Sequence, residues 1–205
     1  MYKKPIIVFE GIEASGKSHH ISIVSKYFQK NKIPFIKLRE PGGNKNSEKI
    51  RKLILNKNSN FHKNTDLLLY FAARNENINK IIKKNIKKKI ILIDRFSDST
   101  MAYQHYGMGI DQKIIKIINK FLLNDITINY TFLNIVNEKN LLSRLRKRKN
   151  LNRYDKFNLN FYKKVQNGYL KLAKKNKKSY QIVNSNHEIK KNEVLILDKI
   201  RKLIK

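Results

Sequence analysis

A glycine-rich segment near the start of the chain has the residue types that bind phosphate groups. It reads GIEASGKS and matches the pattern GxxxxGK[ST]. Glycines let successive backbone N–H groups point inward around phosphate oxygens, and the following helix N-terminus adds about half a positive charge. Lys17 is predicted to reach the β- and γ-phosphates of a nucleotide, and Ser18 to offer its hydroxyl to Mg²⁺. The predicted nucleotide-binding residues are Gly11, Ile12, Glu13, Ala14, Ser15, Gly16, Lys17 and Ser18.

A carboxylate and a guanidinium follow an apolar run further along the chain. Residues Ile90 to Ile93 are apolar at every position, and Asp94 and Arg95 come directly after them. A strand that is apolar on both faces is typical of the interior of a parallel sheet, whose carboxyl edge would bring Asp94 beside the glycine-rich loop. Asp94 is therefore predicted to help hold Mg²⁺, and Arg95 to clamp a phosphate of a second, anionic substrate.

Arginine is concentrated in one segment of a chain that otherwise uses lysine. Four of the nine arginines lie between Arg144 and Arg153, whereas the glycine-rich loop contains none. This asymmetry indicates that planar, bidentate hydrogen bonding matters in that segment, which would then supply positive charge to a phosphoryl group. The alternative interpretation is a solvated basic helix end.

Short apolar runs alternate with longer stretches whose apolar residues recur every three or four positions. The alternation predicts an α/β fold with a mainly parallel sheet. A chain of 205 residues without internal repeats or Gly/Ser linkers suits one domain, 1–205. The predicted strands are Ile6 to Phe9, Pro34 to Leu38, Ile90 to Ile93, Tyr130 to Ile135 and Tyr180 to Val183. The predicted helices are Lys17 to Lys30, Asp66 to Asn85, Ile110 to Leu123, Glu138 to Lys147, Leu159 to Lys175 and Val194 to Ile204.

The composition excludes several classes of protein. The chain has no cysteine, which excludes disulfides and thiolate sites and favours a cytoplasmic location, and no apolar stretch suits a membrane span. Its net charge of +31 is carried mostly by lysine, spread along the whole chain together with abundant Asn and Ile. These three residues share adenine- and thymine-rich codons, so compositional drift explains the charge more simply than a nucleic-acid footprint. No specific nucleic-acid partner is expected.

Four motifs, in order along the chain, resemble those of the bacterial thymidylate kinases. They are FEGIEASGKS from Phe9, LREPGG from Leu38, LLLYFAARNE from Leu67 and DRFSDSTMAYQ from Asp94. The resemblance covers nearly the whole chain and implies a P-loop NTPase fold, with a five-stranded parallel sheet flanked by helices. It also implies a homodimer that uses ATP and Mg²⁺ and transfers the γ-phosphoryl group to dTMP, giving dTDP for dTTP synthesis.

The same resemblance assigns roles to individual residues. It implies that Phe71 stacks on thymine, that Arg74 donates to a thymine carbonyl, and that Thr100 bonds the N3 edge of the base. Tyr103 is expected to crowd a 2′-hydroxyl, so that deoxyribose is preferred, and Glu13 to meet the sugar 3′-hydroxyl. The implied acceptor-binding residues are Arg39, Pro41, Phe71, Arg74, Arg95, Ser99, Thr100, Tyr103 and Gln104.

The arginine-rich segment resembles the lid of this family, over residues of about 144 to 157. Arg148 is the expected catalytic charge, Arg153 is expected to contact the donor nucleotide, and Arg144 is expected to serve in either role. The implied catalytic residues are Lys17, Arg95, Arg148 and Glu13.

The chain departs from the family pattern at several positions. Phe96 stands where tyrosine is common, and Asn152 stands where an acidic residue precedes the lid arginine, which predicts weaker nucleotide binding and lid closure. Glu40 is expected to be exposed. Two other functions stay open: a kinase acting on another nucleoside monophosphate, and a P-loop protein that binds nucleic acid through its positive surface.

Overall fold

A five-stranded parallel sheet forms the centre of the molecule. The computed structural model describes residues 3–149 and 151–204, so Asn150 of the predicted lid lies outside the described residues. The strand order is β2-β3-β1-β4-β5, and every neighbouring pair is parallel. The strands are β1 (Ile6–Gly11), β2 (Phe35–Arg39), β3 (Ile90–Asp94), β4 (Tyr130–Ile135) and β5 (Tyr180–Asn184).

Helices connect and cover the strands, as parallel pairing requires. Two segments, Ile78–Ile82 and Met101–Gly107, are wound as π-helix, and Arg153–Lys156 and Lys177–Ser179 form 3₁₀ turns. The α-helices of the described residues are α1 (Lys17–Lys30), α2 (Lys45–Leu55), α3 (Lys63–Asn77), α4 (Lys83–Asn85), α5 (Ser97–Thr100), α6 (Gln112–Leu123), α7 (Glu138–Arg146), α8 (Leu159–Lys175) and α9 (Ile189–Ile204). None of them has the length and apolar character that crossing a lipid bilayer requires.

Both faces of the sheet are buried under helices. On one face, Ile7 and Phe9 of β1 pack with Phe28 of α1 and Ile196 of α9. On the other, Ile6 and Val8 share a cluster with residues of the Ile78–Ile82 segment. A third cluster joins Leu133 of β4 to helix α8 and the Met101–Gly107 segment. The alternating side chains of β1 are therefore apolar in both directions, as expected for an interior parallel strand.

The structure confirms the predicted α/β class, the five strands and the parallel sheet. β3 lies inside the sheet between β2 and β1, as its uniformly apolar sequence predicted. Two helical segments were missed, however. In helix α2 the apolar residues Ile50, Leu53 and Ile54 do recur at helical spacing, so the signal was present in the sequence and was overlooked. The continuous helix 97–107 buries polar residues such as Gln104, which the search for apolar faces could not detect.

Candidate active site

The glycine-rich loop leaves β1 in a backbone conformation that only glycine adopts readily. Gly11 has φ +138°, and a Cβ there would stand 2.3 Å from the carbonyl oxygen of Asn134. Gly16 has φ +91° and precedes α1, and no side chain caps this helix N-terminus. By contrast, Asn44 caps α2 with its side chain. The first N–H groups of α1 are therefore available to an anionic ligand.

A buried polar cluster supports the loop from behind. The Ser185 hydroxyl donates to the Ser15 carbonyl at 2.6 Å, and Asn134 Nδ2 lies 2.6 Å from His20 Nδ1. Burial lowers the pKa of His20 to about 4, so the imidazole is neutral at physiological pH. Arg144 joins the same cluster by donating to the Ala14 carbonyl at 3.0 Å and to the Ser185 carbonyl at 2.7 Å. The loop is thus fixed before any ligand binds.

Lys17 lies folded against the loop and is only 7 % exposed. Its Nζ donates to the carbonyl oxygens of Gly11 at 3.0 Å and Ile12 at 2.8 Å, and to Ser15 Oγ at 3.3 Å. Burial, assisted by the positive charge of Arg95, lowers the pKa of Lys17 to about 8. A phosphate group would reverse this shift, since a nearby anion favours the protonated amine.

One cavity of about 600 Å³ extends from the loop past the carboxyl ends of β2 and β3 to helix α3 and the arginine-rich segment. Most of the predicted site residues line it, whereas Gly11 and Ile12, at the start of the loop, are buried and do not line it. The predicted residues in its wall are Glu13, Ala14, Ser15, Gly16, Lys17, Ser18, Arg39, Pro41, Arg74, Asp94, Arg95, Ser99, Thr100, Tyr103, Gln104, Arg144 and Arg148.

Arg74 is held rigidly at one end of this cavity and is 1 % exposed. Its Nε donates to Glu40 at 2.8 Å, one Nη to Asn119 at 3.0 Å, and the other to the Thr100 hydroxyl at 2.9 Å and the Phe96 carbonyl at 3.0 Å. The expectation that Glu40 is exposed is wrong, because its carboxylate is buried as the partner of this guanidinium. Burial raises the pKa of Glu40, and the Arg74 charge opposes that rise.

Arg95 and Glu13 form an ion pair across the cavity wall. Their side chains are 3.0 Å apart and largely buried, and Glu13 also accepts a 2.5 Å hydrogen bond from the Tyr103 hydroxyl. The Arg95 guanidinium lies 5.1 Å from the centre of the Tyr103 ring. Arg95 has φ +64°, an unusual conformation for a non-glycine residue that turns its side chain toward the cavity. Three predicted residues thus form one contact network.

Glu10 supports this network and was missed by the sequence analysis. It is fully buried, and its carboxylate accepts from the Phe96 N–H at 2.8 Å, the Ser99 hydroxyl at 2.6 Å and the Tyr169 hydroxyl at 3.0 Å. Burial, together with the charge of Asp98, raises the pKa of Glu10. The signal available in the sequence was a carboxylate inside an otherwise apolar strand, which must find partners when buried.

The cavity contains side chains that fit Mg²⁺. Asp94 Oδ1 is buried and, among the described residues, has no hydrogen-bond partner, while the Ser18 hydroxyl lies in the same cavity. The described residues contain no group of three or more His, Asp or Glu side chains placed to hold a metal by themselves. A magnesium ion here would therefore depend on phosphate oxygens for part of its shell, which is its usual mode of binding.

Two predicted residues lie elsewhere. Phe71 is 4 % exposed and packs in the core with Leu67 and Met101, whereas its neighbour Tyr70 lines the cavity. One residue along a helix rotates the side chain by about 100°, so the two rings point in different directions. Arg153 pairs with Asp66 of helix α3 and lies outside the cavity. The structure therefore does not support base stacking by Phe71 or a donor contact by Arg153.

Arg51 is a cavity residue that the sequence analysis did not identify. It projects from α2 and donates to the Pro41 carbonyl at 2.5 Å, close to Tyr70 and Arg39 in the cavity wall. Because helix α2 was not predicted, nothing placed Arg51 near the site. The preference for arginine over lysine, which drew attention to residues 144–153, was also the available signal for Arg51.

A parallel sheet with a phosphate-binding loop at its central strand, and a cavity rich in arginine beside it, define a P-loop nucleotide-binding protein. The profile of the family "Thymidylate kinase" matches residues 9–196. Thymidylate kinase of Sulfurihydrogenibium sp. is 36 % identical over 197 residues, 95 % of this chain and 96 % of that protein. Thymidylate kinase of Buchnera aphidicola subsp. Schizaphis graminum is 38 % identical over 205 residues, 95 % and 96 % of the two chains.

The crystal structure of thymidylate kinase from Ehrlichia chaffeensis superposes with a TM-score of 0.79 at 29 % identity, and the match covers 98 % of this chain and 99 % of that one. The chain therefore belongs to the thymidylate kinase family. The resemblance of its four motifs to this family is confirmed.

The lowered pKa of Lys17 predicts that ATP binding weakens in alkaline solution. Above pH 8 the amine of Lys17 loses its proton in the protein without ligand, whereas binding of the triphosphate requires the protonated form. The Kd for ATP should therefore rise by up to about tenfold per pH unit. Calorimetric titration at pH 7, 8 and 9 measures this. In Lys17→Arg the charge persists, and the dependence should disappear. A wild-type Kd that is constant from pH 7 to 9 would contradict the prediction.

Proposed function

We propose that the protein is a dTMP kinase, which transfers the γ-phosphoryl group of ATP to dTMP in the presence of Mg²⁺ and produces ADP and dTDP. A phosphate oxygen of dTMP bonds to the γ-phosphorus while the bond from that phosphorus to the β–γ bridging oxygen breaks. The main support is the single cavity that connects the P-loop to Arg74 and Tyr70, in a chain of the thymidylate kinase family. Two nucleotides can meet there end to end.

On the donor side, the residues provide positive charge around the phosphates. Lys17 and the free N–H groups of α1 would bind the β- and γ-phosphates, and Arg144 and Arg148 line the same cavity. Ser18 and Asp94 would hold Mg²⁺, which neutralises phosphate charge when bound. Arg148 is 41 % exposed, and its ion-pair partner is the buried carboxylate of Asp155.

On the acceptor side, three arginines, Arg39, Arg51 and Arg95, surround the place where a monophosphate would lie. Arg95 is positioned by Glu13, and Arg39 by Glu48 at 3.1 Å. Guanidinium groups bind phosphate oxygens bidentately. Such contacts orient the acceptor as well as balancing its negative charge. The acceptor phosphate would therefore be held in line with the donor.

The base would lie between Tyr70 and the polar groups opposite. Arg74 and Thr100 present a hydrogen-bonded pair to the cavity, and Gln104 Nε2 is buried with no hydrogen-bond partner among the described residues. A buried amide with an unused donor is costly unless a ligand accepts from it. The carbonyl oxygens of thymine would satisfy this donor. The Tyr103 hydroxyl donates to Glu13, and its ring would limit the space for a 2′-hydroxyl on the sugar.

A coupled assay of ADP release tests the function directly. With ATP and Mg²⁺, dTMP should be phosphorylated, whereas dCMP and thymidine should be poor acceptors. Lys17→Ala should lower kcat by about two to three orders of magnitude, because it removes the buried ammonium charge that would stabilise the transferred phosphoryl group. Lys26→Ala removes an exposed lysine of the same helix and should leave kcat unchanged. Preference for another monophosphate would overturn the assignment.

Tyr70 replaces Phe71 as the stacking residue, and paired variants distinguish the two. Tyr70→Leu should raise KM for dTMP about tenfold or more, since stacking contributes roughly 1–3 kcal/mol. Phe71→Leu should lower the melting temperature through its core position and leave that KM within about twofold. Steady-state kinetics and thermal melts measure both effects. The reverse pattern would restore Phe71 to the site.

We also infer that the protein acts as a homodimer in the cytoplasm. Ile114, Ile117 and Phe121 recur on one side of α6 and are 48 %, 68 % and 79 % exposed, and Leu68 of the neighbouring α3 is 60 % exposed. Large contiguous apolar faces on soluble proteins mark association sites, and a second copy would bury the same face by two-fold symmetry. We further infer that the positive surface results from compositional drift, so that no specific nucleic-acid partner is expected.

Charge placed on this apolar face should separate the subunits. Ile117→Glu and Phe121→Glu would each bury an unpaired carboxylate in a dimer, so light scattering should give the mass of a monomer for both variants. Val194→Glu places the same charge at a site that is 60 % exposed on α9 and should leave the dimer intact. A wild-type protein that is monomeric at micromolar concentration would contradict the proposal.

A further inference from the structure

The arginine-rich segment is attached to the helix that carries the acceptor pocket. Asp66, Tyr70 and Arg74 lie one turn apart along the same side of α3, and the last two line the cavity. Asp66 forms an ion pair with Arg153, and both side chains are largely buried, 6 % and 14 % exposed. A pair of this kind resists separation, because either charge left alone would be buried without a partner.

Aromatic contacts reinforce this attachment. The ring of Tyr154 lies 6.1 Å from that of Tyr70 and 6.0 Å from that of Tyr103, in edge-to-face geometry. The Arg153 guanidinium lies 5.1 Å from the Tyr154 ring and 6.0 Å from the ring of Phe61. Tyr154 is 4 % exposed, and its carbonyl accepts from the Tyr162 hydroxyl at 2.7 Å. The 3₁₀ turn Arg153–Lys156 therefore rests on the residues expected to contact the acceptor.

The same turn holds the candidate catalytic arginine. The Asn152 side chain accepts from the Tyr154 N–H at 2.8 Å, while the Asp155 carboxylate accepts from the Asn152 N–H at 2.9 Å. Asp155 is the ion-pair partner of Arg148, which lines the cavity. A continuous set of contacts thus runs from Asp66 through the turn to Arg148.

We propose that Asp66 and Arg153 are positioning residues, which fasten the lid turn to the acceptor helix and thereby place Arg148 over the transferred phosphoryl group. This inference rests on the proposed phosphoryl transfer. Arg153 then acts through Asp66 and the turn, and it does not contact the donor nucleotide. The expected signature is a loss of kcat with little change in KM for ATP, because the turn positions charge for the transition state.

Limited trypsin digestion measures the attachment without using activity. The lid offers cleavage sites at Lys147, Arg148 and Lys149, and mass spectrometry identifies cuts there. In Asp66→Asn and Arg153→Gln, cleavage at these sites should be about tenfold faster than in the wild type, as expected when one partner of a buried pair is removed. The double variant should be no faster than either single variant, because each change removes the same interaction.

Kinetics then separate positioning from a structural role. Both single variants should lower kcat for dTMP phosphorylation about tenfold, with KM for ATP within about threefold of the wild type. Asp198→Asn makes the same substitution in the exposed Asp198–Arg201 pair and should change neither cleavage nor kcat. Arg153→Lys keeps the charge and should restore part of both properties.

Several outcomes would overturn the proposal. They are additive effects in the double variant, a rise in KM for ATP without a fall in kcat, or a lower melting temperature while lid cleavage and kcat stay within twofold of wild type. The last result would mean that Asp66 only stabilises the first turn of α3. If Asp66→Asn fails to fold, Arg153→Gln supplies the same measurements. Absence of dTMP kinase activity in the wild type would refute the proposed function, while trypsin digestion would still test the attachment.

Discussion

Mutual repulsion among cations is the constraint that shapes this cavity. Seven cationic side chains of the described residues line it, and all must be held near one another before any phosphate arrives. The protein achieves this by giving each one an acceptor of its own. Carboxylates serve Arg39, Arg74, Arg95 and Arg148, and backbone carbonyls serve Lys17, Arg51 and Arg144. Phosphate oxygens can then compete for groups that are already in place, so little reorganisation accompanies binding.

The acceptors also differ in how firmly they hold their cations. Among the described residues, Arg74 has four partners and is buried, so it forms a rigid wall, whereas Arg148 has one carboxylate partner and is partly exposed. Lys17 lies between these extremes, since burial lowers its pKa and carbonyls are weaker partners than a phosphate. Rigidity is thus greatest around the proposed base pocket, where discrimination requires fixed geometry, and least where charge must follow a migrating group.

The sequence predicted the sheet and the P-loop well, because both depend on local patterns. Apolar runs located all five strands to within two residues at either end, and the glycine pattern identified the loop at β1. Side-chain direction was harder to predict. The sequence pointed to Phe71 for stacking, whereas the structure buries Phe71 and turns Tyr70 to the cavity, because adjacent helical residues face different ways. Glu40 was misjudged because only tertiary structure brings Arg74 beside it. Arg153 shows the same limit, since its partner Asp66 lies far away in sequence.

Arginine and lysine are distributed differently over this structure. Lysine carries most of the charge, yet six of the nine arginines line the cavity, and Arg153 forms the buried pair with Asp66. A solvated cation needs no particular geometry, so lysine can replace arginine on the surface with little consequence. A guanidinium that must orient two acceptors at once cannot be replaced in this way. In a chain dominated by lysine, most of the arginines therefore mark places where direction matters as well as charge, and these places concentrate at the cavity, whereas Arg146 and Arg201 are exposed.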